Sequence, residues 1–383
     1  MRKLLTIVLV IILAAALILA GILFIGFGTF KGFRESDLRA PLYSEIERSE
    51  GRPPSPHTIV RQETDWGIEW SIADVYSGFG GILWLSVNND GPRSIWVYGV
   101  AFTWTGTSTI YEREAAVLCP PDAKTEVGLV AFGVPVSPGI HRYEIWLSVA
   151  VKQLTGDAWY DYGRLKGGTH DIEIKAAGPP LEWQTSRNPT RYYNEVNARI
   201  SASDVDAVAR SIRSQYPGEY NILQVCQAYE WVRRNIAYEE ETGDYWQSAK
   251  ETLARKAGDC EDHAILLASI ILNLGGNARV NIIKAHAFPT VFVGRNASEV
   301  ERIEDAIESF YYLPKDALRI NYLIDEFGYW MVIDTVGYAY AGGLPAESRY
   351  AISESGGTWT FQSSDYLITV DATGASVGLF GIL

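Results

Sequence analysis

The sequence predicts an α+β protein built from an N-terminal transmembrane helix, a β-sandwich and a second, mixed domain of helices and strands. Three patterns carry this prediction: an uncharged apolar run near the N-terminus, short alternating runs in the first half, and mixed helical and strand patterns in the second half. A chain of 383 residues also exceeds the size at which one hydrophobic core usually stops growing. We place the anchor at residues 1–31, a stalk at 32–60, the sandwich at 61–176, a linker at 177–191 and the second domain at 192–383.

The apolar run extends from Leu4 to Phe30 without a charge, which exceeds the roughly 20 residues that a helix needs to cross a bilayer. The apolar region of a cleaved signal peptide is shorter, about 7 to 15 residues. We therefore expect an uncleaved, single-pass anchor in the cell membrane. Basic residues on its two sides nearly balance, but the short basic head favours an extracytoplasmic body. A glycosylation acceptor triplet at Asn296 fits that placement.

The segment after the anchor is polar and ends in the proline-rich stretch 51–57, which is typical of a stalk. From 66 to 175 the pattern changes to alternating runs such as RYEIWLSVAVK at 142–152. Alternation predicts half-buried antiparallel strands, and turn residues recur at the spacing of a sandwich. We predict an immunoglobulin-like β-sandwich without a visible catalytic residue, serving as a spacer or binding arm.

The second domain opens after a linker with three prolines. Segment 221–238 has apolar residues at three- and four-residue steps and predicts an amphipathic helix with Cys226 on its buried face. A long apolar helix follows after Gly258, and then come three strand-like stretches interrupted by an insertion at about 295–327. The final apolar stretch, 374–383, is too short to cross a membrane and is interpreted as a closing strand or a loose tail.

Charge and cysteine content exclude several classes of protein. The chain has 33 basic and 46 acidic residues and a net charge of -13, whereas nucleic-acid binding needs clustered Lys and Arg. Three cysteines exclude a disulfide framework, although a bridge between Cys119 and Cys226 stays open. No phosphate-binding glycine loop and no Cys-x-x-Cys pair occurs, so the sequence gives no support for a nucleotide, zinc or other cofactor.

Cys260 is the first candidate for chemistry, because it stands in GDCEDHA at the start of the long apolar helix. A helix N-terminus offers unpaired N–H groups and the positive end of the helix dipole, which stabilise a thiolate and receive an oxyanion. A cysteine at such a position is also often structural. Catalysis therefore requires partners elsewhere in the chain.

His286 and Asp334 supply a base and an orienting acid, each at a predicted strand. The order GDC opening a helix, HA opening a strand and D-x-T ending another resembles the transglutaminase-like superfamily over roughly residues 192–350. The segment YWQSAKETL before the cysteine is similar to archaeal and bacterial members of that superfamily, and the anchor suggests their membrane-bound type.

This resemblance implies a papain-like core in which Cys260 is the nucleophile, His286 is the base and then the acid, and Asp334 fixes the imidazole. It further implies that Trp246 or Gln247 helps to line the oxyanion pocket beside the Cys260 N–H.

The acidic cluster at the helix start invites a metal interpretation. Its members are Asp259, Glu261, Asp262 and His263. Neighbours on a helix fan out around its axis and do not converge on one ion, so we predict no metal site and interpret the acids as favouring the helix dipole. His263, about one turn after Cys260, remains an alternative base.

These patterns together predict a membrane-anchored cysteine hydrolase that cleaves peptide or isopeptide bonds in proteins, peptides or cell-wall peptides through a thioester on Cys260. A cross-linking amide transferase uses the same apparatus when an amine replaces water. The alternative from another class is a non-catalytic surface protein for binding or adhesion.

Overall fold

The computed structural model describes residues 32–46, 65–72, 75–77, 80–176, 184–240, 243, 245–283, 285–313, 315, 318, 320–337, 339–345, 348–350, 360–361 and 366–375. The predicted anchor at Leu4 to Phe30 lies outside these residues. Within the described ranges, no helix has the length and apolar character needed to span a bilayer.

The described part of the first domain consists of strands joined by short turns. Their bounds are β1 Trp66–Ile72, β2 Val75–Tyr76, β3 Gly80–Asn89, β4 Ile95–Trp104, β5 Ile110–Cys119, β6 Ala123–Gly133, β7 Gly139–Lys152 and β8 Trp159–Lys175. One sheet has the order β1-β3-β6 and the other has the order β2-β8-β7-β4-β5. The ladders are antiparallel except for the short pairing of β2 with β8.

The two sheets enclose one hydrophobic core to which β3 and β6 contribute from one side and β4 and β7 from the other. The alternation predicted for β7 is observed, because Tyr143, Ile145 and Leu147 are buried while the residues between them are half-buried. Phe102 stacks on Phe132 across the core at a ring distance of 3.9 Å. A β-sandwich is therefore the arrangement of this domain.

The second domain combines helices with a mixed sheet. The helices are α1 Thr190–Asn197, α2 Asp206–Gln215, α3 Ile222–Asn235, α4 Ala249–Arg255, α5 Cys260–Leu274 and α6 Ala297–Phe310. The strands are β9 Gln184–Arg187, β10 Ala237–Tyr238, β11 Ala257–Gly258, β12 Ala278–Ile283, β13 His286–Gly294, β14 Tyr322–Asp325, β15 Gly328–Val332, β16 Ser348–Tyr350, β17 Thr360–Phe361 and β18 Tyr366–Asp371. The main sheet has the order β14-β15-β13-β12-β18-β9.

The long apolar helix α5 packs on the middle of this sheet. Its interior residues from Ala264 to Ile271 are buried, and Gly275 ends it with a left-handed backbone, φ 100°, as helix C-termini commonly do. Strands β12 and β13 form a hairpin in which Ile283 pairs with His286. The start of α5 and the start of β13 are thereby fixed by one core.

One predicted boundary changes, and the predicted insertion contains regular structure. Residues 184–187 of the predicted linker form β9, which pairs in parallel with β18 and belongs to the second domain. The polar sequence Gln-Thr-Ser-Arg has no strand pattern of its own, and its main-chain bonds to β18 supply the order. The predicted insertion at 295–327 contains α6 and β14, which complete the core and the sheet edge.

The described cysteines are unpaired, so the open Cys119–Cys226 bridge is not formed. Cys119 lies in the sandwich core and Cys226 in the core of the second domain. Burial raises the pKa of both thiols, that of Cys119 to about 11. The prediction that Cys226 is a core residue is confirmed.

The sandwich packs directly against the second domain. Glu126 on β6 accepts hydrogen bonds from Arg233 and Arg234 on α3, at 3.3 and 3.2 Å. Trp84 Nε1 donates to the same carboxylate at 2.9 Å, and Leu129 joins the core of the second domain. Ionic and apolar contacts thus join the two domains.

Residues 32–46, the N-terminal strap, correct the prediction of a free stalk. Phe33 and Leu38 are buried, 7% and 4% exposed, and the Phe33 ring stacks on Trp330 at 6.1 Å. Farther along, the Leu42 N–H donates to the Tyr220 carbonyl at 2.9 Å. The polar composition of the segment concealed these two apolar anchors; residues 47–60 of the predicted stalk lie outside the described residues.

The strap is tied to a buried ionic network around Asp371. This carboxylate accepts from the Phe33 N–H at 2.9 Å, from Arg187 at 2.8 Å, from Asn188 at 2.9 Å and from Arg279 at 2.7 Å. Burial alone would raise the pKa of Asp371, but the charges of Arg279 and Arg187 outweigh burial and lower it. The start of the strap is therefore part of the second domain.

Phe33→Ala in the full-length chain is expected to destabilise the second domain by about 3 kcal/mol, the usual range for emptying a buried aromatic site. Leu42→Ala is the matched control, because Leu42 lies on the same strap but is 52% exposed; its cost is expected to stay within about 0.5 kcal/mol. Urea unfolding of both variants measures the difference. Equal stabilities would mean that the strap does not hold the domain.

Candidate active site

Cys260 is the first residue of α5 and is half-buried. Asp259 precedes it as the N-cap, and the Asp262 side chain accepts from the Asp259 N–H at 3.4 Å. A Cβ at Gly258 would lie 2.6 Å from the Asp262 side chain, so only glycine fits there. The sequence around the cysteine thus builds a capped helix start with the thiol at its edge.

His286 and Asp334 form a buried pair. His286 Nε2 lies 2.7 Å from Asp334 Oδ2, and the two side chains are 3% and 2% exposed. The other carboxylate oxygen accepts from the Val336 N–H at 3.0 Å, and the His286 ring stacks on Phe288 at 6.0 Å. Because an ionised carboxylate only accepts, Nε2 carries the hydrogen and Nδ1 is left as the basic nitrogen.

The Cys260 thiol donates to Glu261 Oε2 at 3.0 Å. Burial raises the pKa of the thiol, the hydrogen bond and charge of Glu261 raise it further, and a hydrogen bond from the Ala287 N–H lowers it. Since Ala287 follows His286, this contact brings the thiol to the strand that bears the imidazole. Among the hydrogen bonds of the described residues, none joins Cys260 to His286.

The expected effect of the helix dipole on Cys260 is therefore outweighed in this state. A thiolate at a helix N-terminus is favoured by the dipole, but the site also holds nearby carboxylates. Burial and the charges of Glu261 and Asp262 raise the pKa of Asp259 to about 7. Burial and the neighbouring Glu261 carboxylate therefore favour the protonated form of the thiol.

His263, the alternative base, is 4% exposed and contacts the Thr335 hydroxyl through Nδ1 at 2.9 Å. Burial lowers its pKa, while the Ala237 carbonyl and the Asp334 charge act in the opposite direction. Its hydrogen bond to Thr335 places the His263 ring beside the loop that bears Asp334.

The two residues proposed for the oxyanion pocket, Trp246 and Gln247, lie at the base of the helix start. Gln247 is 3% exposed and donates its main-chain N–H and its side-chain amide to Asp262, at 2.7 and 2.5 Å. The Trp246 carbonyl accepts from Arg199 at 2.6 Å. The two hydrogen bonds from Gln247 hold the Asp262 carboxylate in the core. An oxyanion role for Trp246 or Gln247 stays a prediction.

The side chains of the acidic cluster point in different directions, as helix geometry predicts. Asp262 faces the core with Gln247, Glu261 faces the thiol and His263 faces Thr335. Within the described ranges, no group of three or more His, Cys, Asp or Glu side chains is arranged to hold a metal ion.

Asn296 is exposed and is the N-cap of α6, where its side chain accepts from the Glu299 N–H at 3.1 Å and from the Ser298 hydroxyl at 2.6 Å. Glycosylation there remains a prediction.

Sequence reasoning missed two neighbours of the thiol. Glu261 was interpreted as a helix-start acid, and its contact with Cys260 depends on a side-chain rotamer that no spacing reveals. Tyr238 is 48% exposed; burial, followed by the charges of Cys260 and Glu240, raises its pKa to about 12. The predicted helix 221–238 overlapped Tyr238, which lies in β10, paired in parallel with β11 just before the cysteine.

Three solved structures that the chain resembles are distant likenesses. A CARDB domain from Pyrococcus furiosus in complex with di-metal ions is 16% identical and covers 34% of this chain and 99% of its own, with a TM-score of 0.20. An Escherichia coli alpha-2-macroglobulin fragment is 17% identical and covers 55% and 33%, with a TM-score of 0.21. A candidate cysteine protease from Cytophaga hutchinsonii is 11% identical and covers 78% and 97%, with a TM-score of 0.23.

No curated protein matches the sequence significantly. The sequence model of the transglutaminase-like superfamily matches residues 206–295. This match includes Cys260 and His286 and ends before Asp334. The segment that bears the thiol and the imidazole is thus a transglutaminase-like segment, as its motifs predicted.

Proposed function

We propose that this protein is a membrane-anchored cysteine hydrolase that cleaves peptide or isopeptide bonds through a thioester on Cys260. The observation that supports it most is the 2.7 Å pair of His286 and Asp334. His286 begins the strand whose next residue, Ala287, directs its N–H to the thiol. The superfamily match over 206–295 supports cysteine-based acyl transfer in general, and the choice of hydrolysis is part of the proposal.

The first half-reaction forms the thioester. The Cys260 thiol gives its proton to His286 Nδ1, and the sulfur attacks the carbonyl carbon of the amide. N–H groups at the start of α5 stabilise the negative oxygen of the tetrahedral intermediate. His286 then returns the proton to the departing amine as the C–N bond breaks, while Asp334 stabilises the imidazolium throughout.

The second half-reaction releases the acyl group. Water gives a proton to His286 and attacks the thioester carbonyl, the C–S bond breaks, and the sulfur recovers the proton. An amine in place of water would give cross-linking by the same steps. No cofactor takes part in either route.

The anchor and the sandwich belong to the same proposal. We place the body outside the cytoplasm, on a single-pass helix over residues 4–30, with the immunoglobulin-like sandwich as a spacer or binding arm. The strap after the anchor bonds to Asn277, after the end of α5, through the Arg39 N–H at 2.8 Å. Cys260 begins α5, so a helix of 15 residues, about 22 Å at the usual rise, separates the thiol from that attachment point.

The full-length protein, incubated with cell-envelope peptides, tests this function. We expect peptide cleavage and an acyl adduct on Cys260 that hydroxylamine removes, both absent in Cys260→Ala and both kept in Cys226→Ala. Intact-mass spectrometry and peptide mapping provide the readout. Incorporation of a tagged alkylamine in preference to hydrolysis would assign the cross-linking activity. The absence of cleavage, adduct and amine incorporation would overturn the enzymatic proposal and favour a non-catalytic binding protein.

A further inference from the structure

Glu261 is the side chain that accepts the hydrogen of the Cys260 thiol, at 3.0 Å. It is half-buried, whereas Asp262 is fully buried with Gln247 and Asp259 is the N-cap of the helix. Of the acids at the start of α5, Glu261 alone therefore combines contact with the sulfur and access to solvent.

This contact opposes the proposed chemistry. A thiol that donates to Glu261 does not donate to His286, and an adjacent carboxylate disfavours the thiolate. The sulfur becomes a nucleophile toward the substrate carbonyl only after Glu261 has turned away. No Lys or Arg in the described part of the chain forms an ion pair with Glu261, so none of the described cations holds it away from the thiol.

The surroundings of Glu261 suit a cation from outside. Glu240 and Tyr238 are exposed on the segment beside the thiol, and the negative charges of Glu240 and Glu261 both act on the Tyr238 hydroxyl. Exposed carboxylates and an aromatic face attract a positive group. Asp259 adds a buried oxygen, Oδ1, that has no hydrogen-bond partner.

We propose that Glu261 is a positioning and specificity residue that holds the resting thiol and is drawn off it by a positive charge on the acyl donor. The enzyme would thus select donors with a cationic side chain near the attacked carbonyl. This rests on the acyl-transfer function proposed above. The charge belongs to the donor because the sulfur is released before the thioester forms, whereas an amine acceptor arrives afterwards.

Charged thiol reagents test the proposal on the full-length protein without a substrate. A cationic and an anionic methanethiosulfonate each form a disulfide with Cys260 and release methanesulfinate. We expect the cation-to-anion ratio of the labelling rates to fall by about tenfold in Glu261→Gln. Labelling by neutral iodoacetamide near neutral pH is expected to rise by about tenfold, the effect of a one-unit drop in thiol pKa. Peptide mapping separates Cys260 from the two buried cysteines.

The matched control is Glu239→Gln. Glu239 is exposed on the same segment but pairs with Arg255 at 3.2 Å, so both readouts are expected to stay within about twofold of the wild type. Glu261→Asp is a second variant for the case in which the glutamine variant does not fold. Its shorter side chain is expected to raise iodoacetamide labelling while keeping the charge ratio.

An unchanged ratio and an unchanged iodoacetamide rate in Glu261→Gln would overturn the proposal. His286→Ala separates it from the acyl-transfer function, because loss of the base slows both charged reagents equally and leaves their ratio unaltered. If His286→Ala has no effect while Glu261→Gln lowers the ratio, the acyl-transfer function fails and the selection of donors fails with it, whereas the hold of Glu261 on the thiol stands.

Discussion

Replacing His286 with alanine is expected to slow acyl transfer by about 10³-fold, the usual worth of a general base, whereas alanine at His263 is expected to cost less than about tenfold. The difference follows from their contacts. Asp334 holds the His286 ring at 2.7 Å and leaves its Nδ1 as an acceptor, while His263 uses Nδ1 for Thr335 and has a pKa lowered by burial. The specificity constant kcat/KM for a cleaved peptide measures both effects.

His263→Ala is the matched control, because both residues are buried histidines of the same domain, with 6% and 4% of the whole residue exposed. Thermal unfolding of the two variants separates lost stability from lost chemistry. The opposite ranking, with a thousandfold loss at His263 and a small loss at His286, would make His263 the base and reduce His286 to a core residue.

The strands and helices that bury an apolar face were predictable from sequence. Segment 221–238 became α3 except at its end, which lies in β10, and the three strand-like stretches after the cysteine helix became β12, β13 and β15. In each case the side-chain periodicity matches the geometry of the element, because burial of one face stabilises it.

The parts that escaped prediction are held by main-chain pairing and distant partners. Strand β9 has no apolar pattern and forms because β18, far away in sequence, offers a free edge. The strap resembles a linker except for Phe33 and Leu38. The partner of Phe33, Trp330, lies far away in the sequence, and only the folded sheet brings the two rings together. Order imposed by tertiary contacts leaves little trace in local composition.

The candidate site likewise has one part that the sequence predicted and one part that it did not. The order of motifs predicted that His286 and Asp334 belong together, and the structure joins them. The contact between Cys260 and Glu261 was not predictable, since adjacent helix residues meet only in particular rotamers. The predicted activation of the thiol by the helix dipole omitted this neighbouring charge, which acts in the opposite direction.

Asp334→Asn is expected to lower kcat/KM by about 10³-fold or more while leaving the fold intact. An asparagine has one oxygen and one NH₂ group where Asp334 has two acceptors. With its oxygen on the Val336 N–H, the amide presents a donor to His286 Nε2, which then accepts and leaves the proton on Nδ1. With the oxygen on His286, the NH₂ group faces the Val336 N–H, and two donors oppose each other.

Kinetics and iodoacetamide labelling of Cys260, measured beside thermal unfolding, check this prediction. Thr335→Ala is the neighbouring control, since that hydroxyl contacts His263, and its effect on kcat/KM is expected to remain below about tenfold. If Asp334→Asn retains activity within that same range, packing against Phe288 orients the imidazole. Asp334 would then be a turn residue, because a carboxylate that sets the base's tautomer cannot be replaced by an amide without loss.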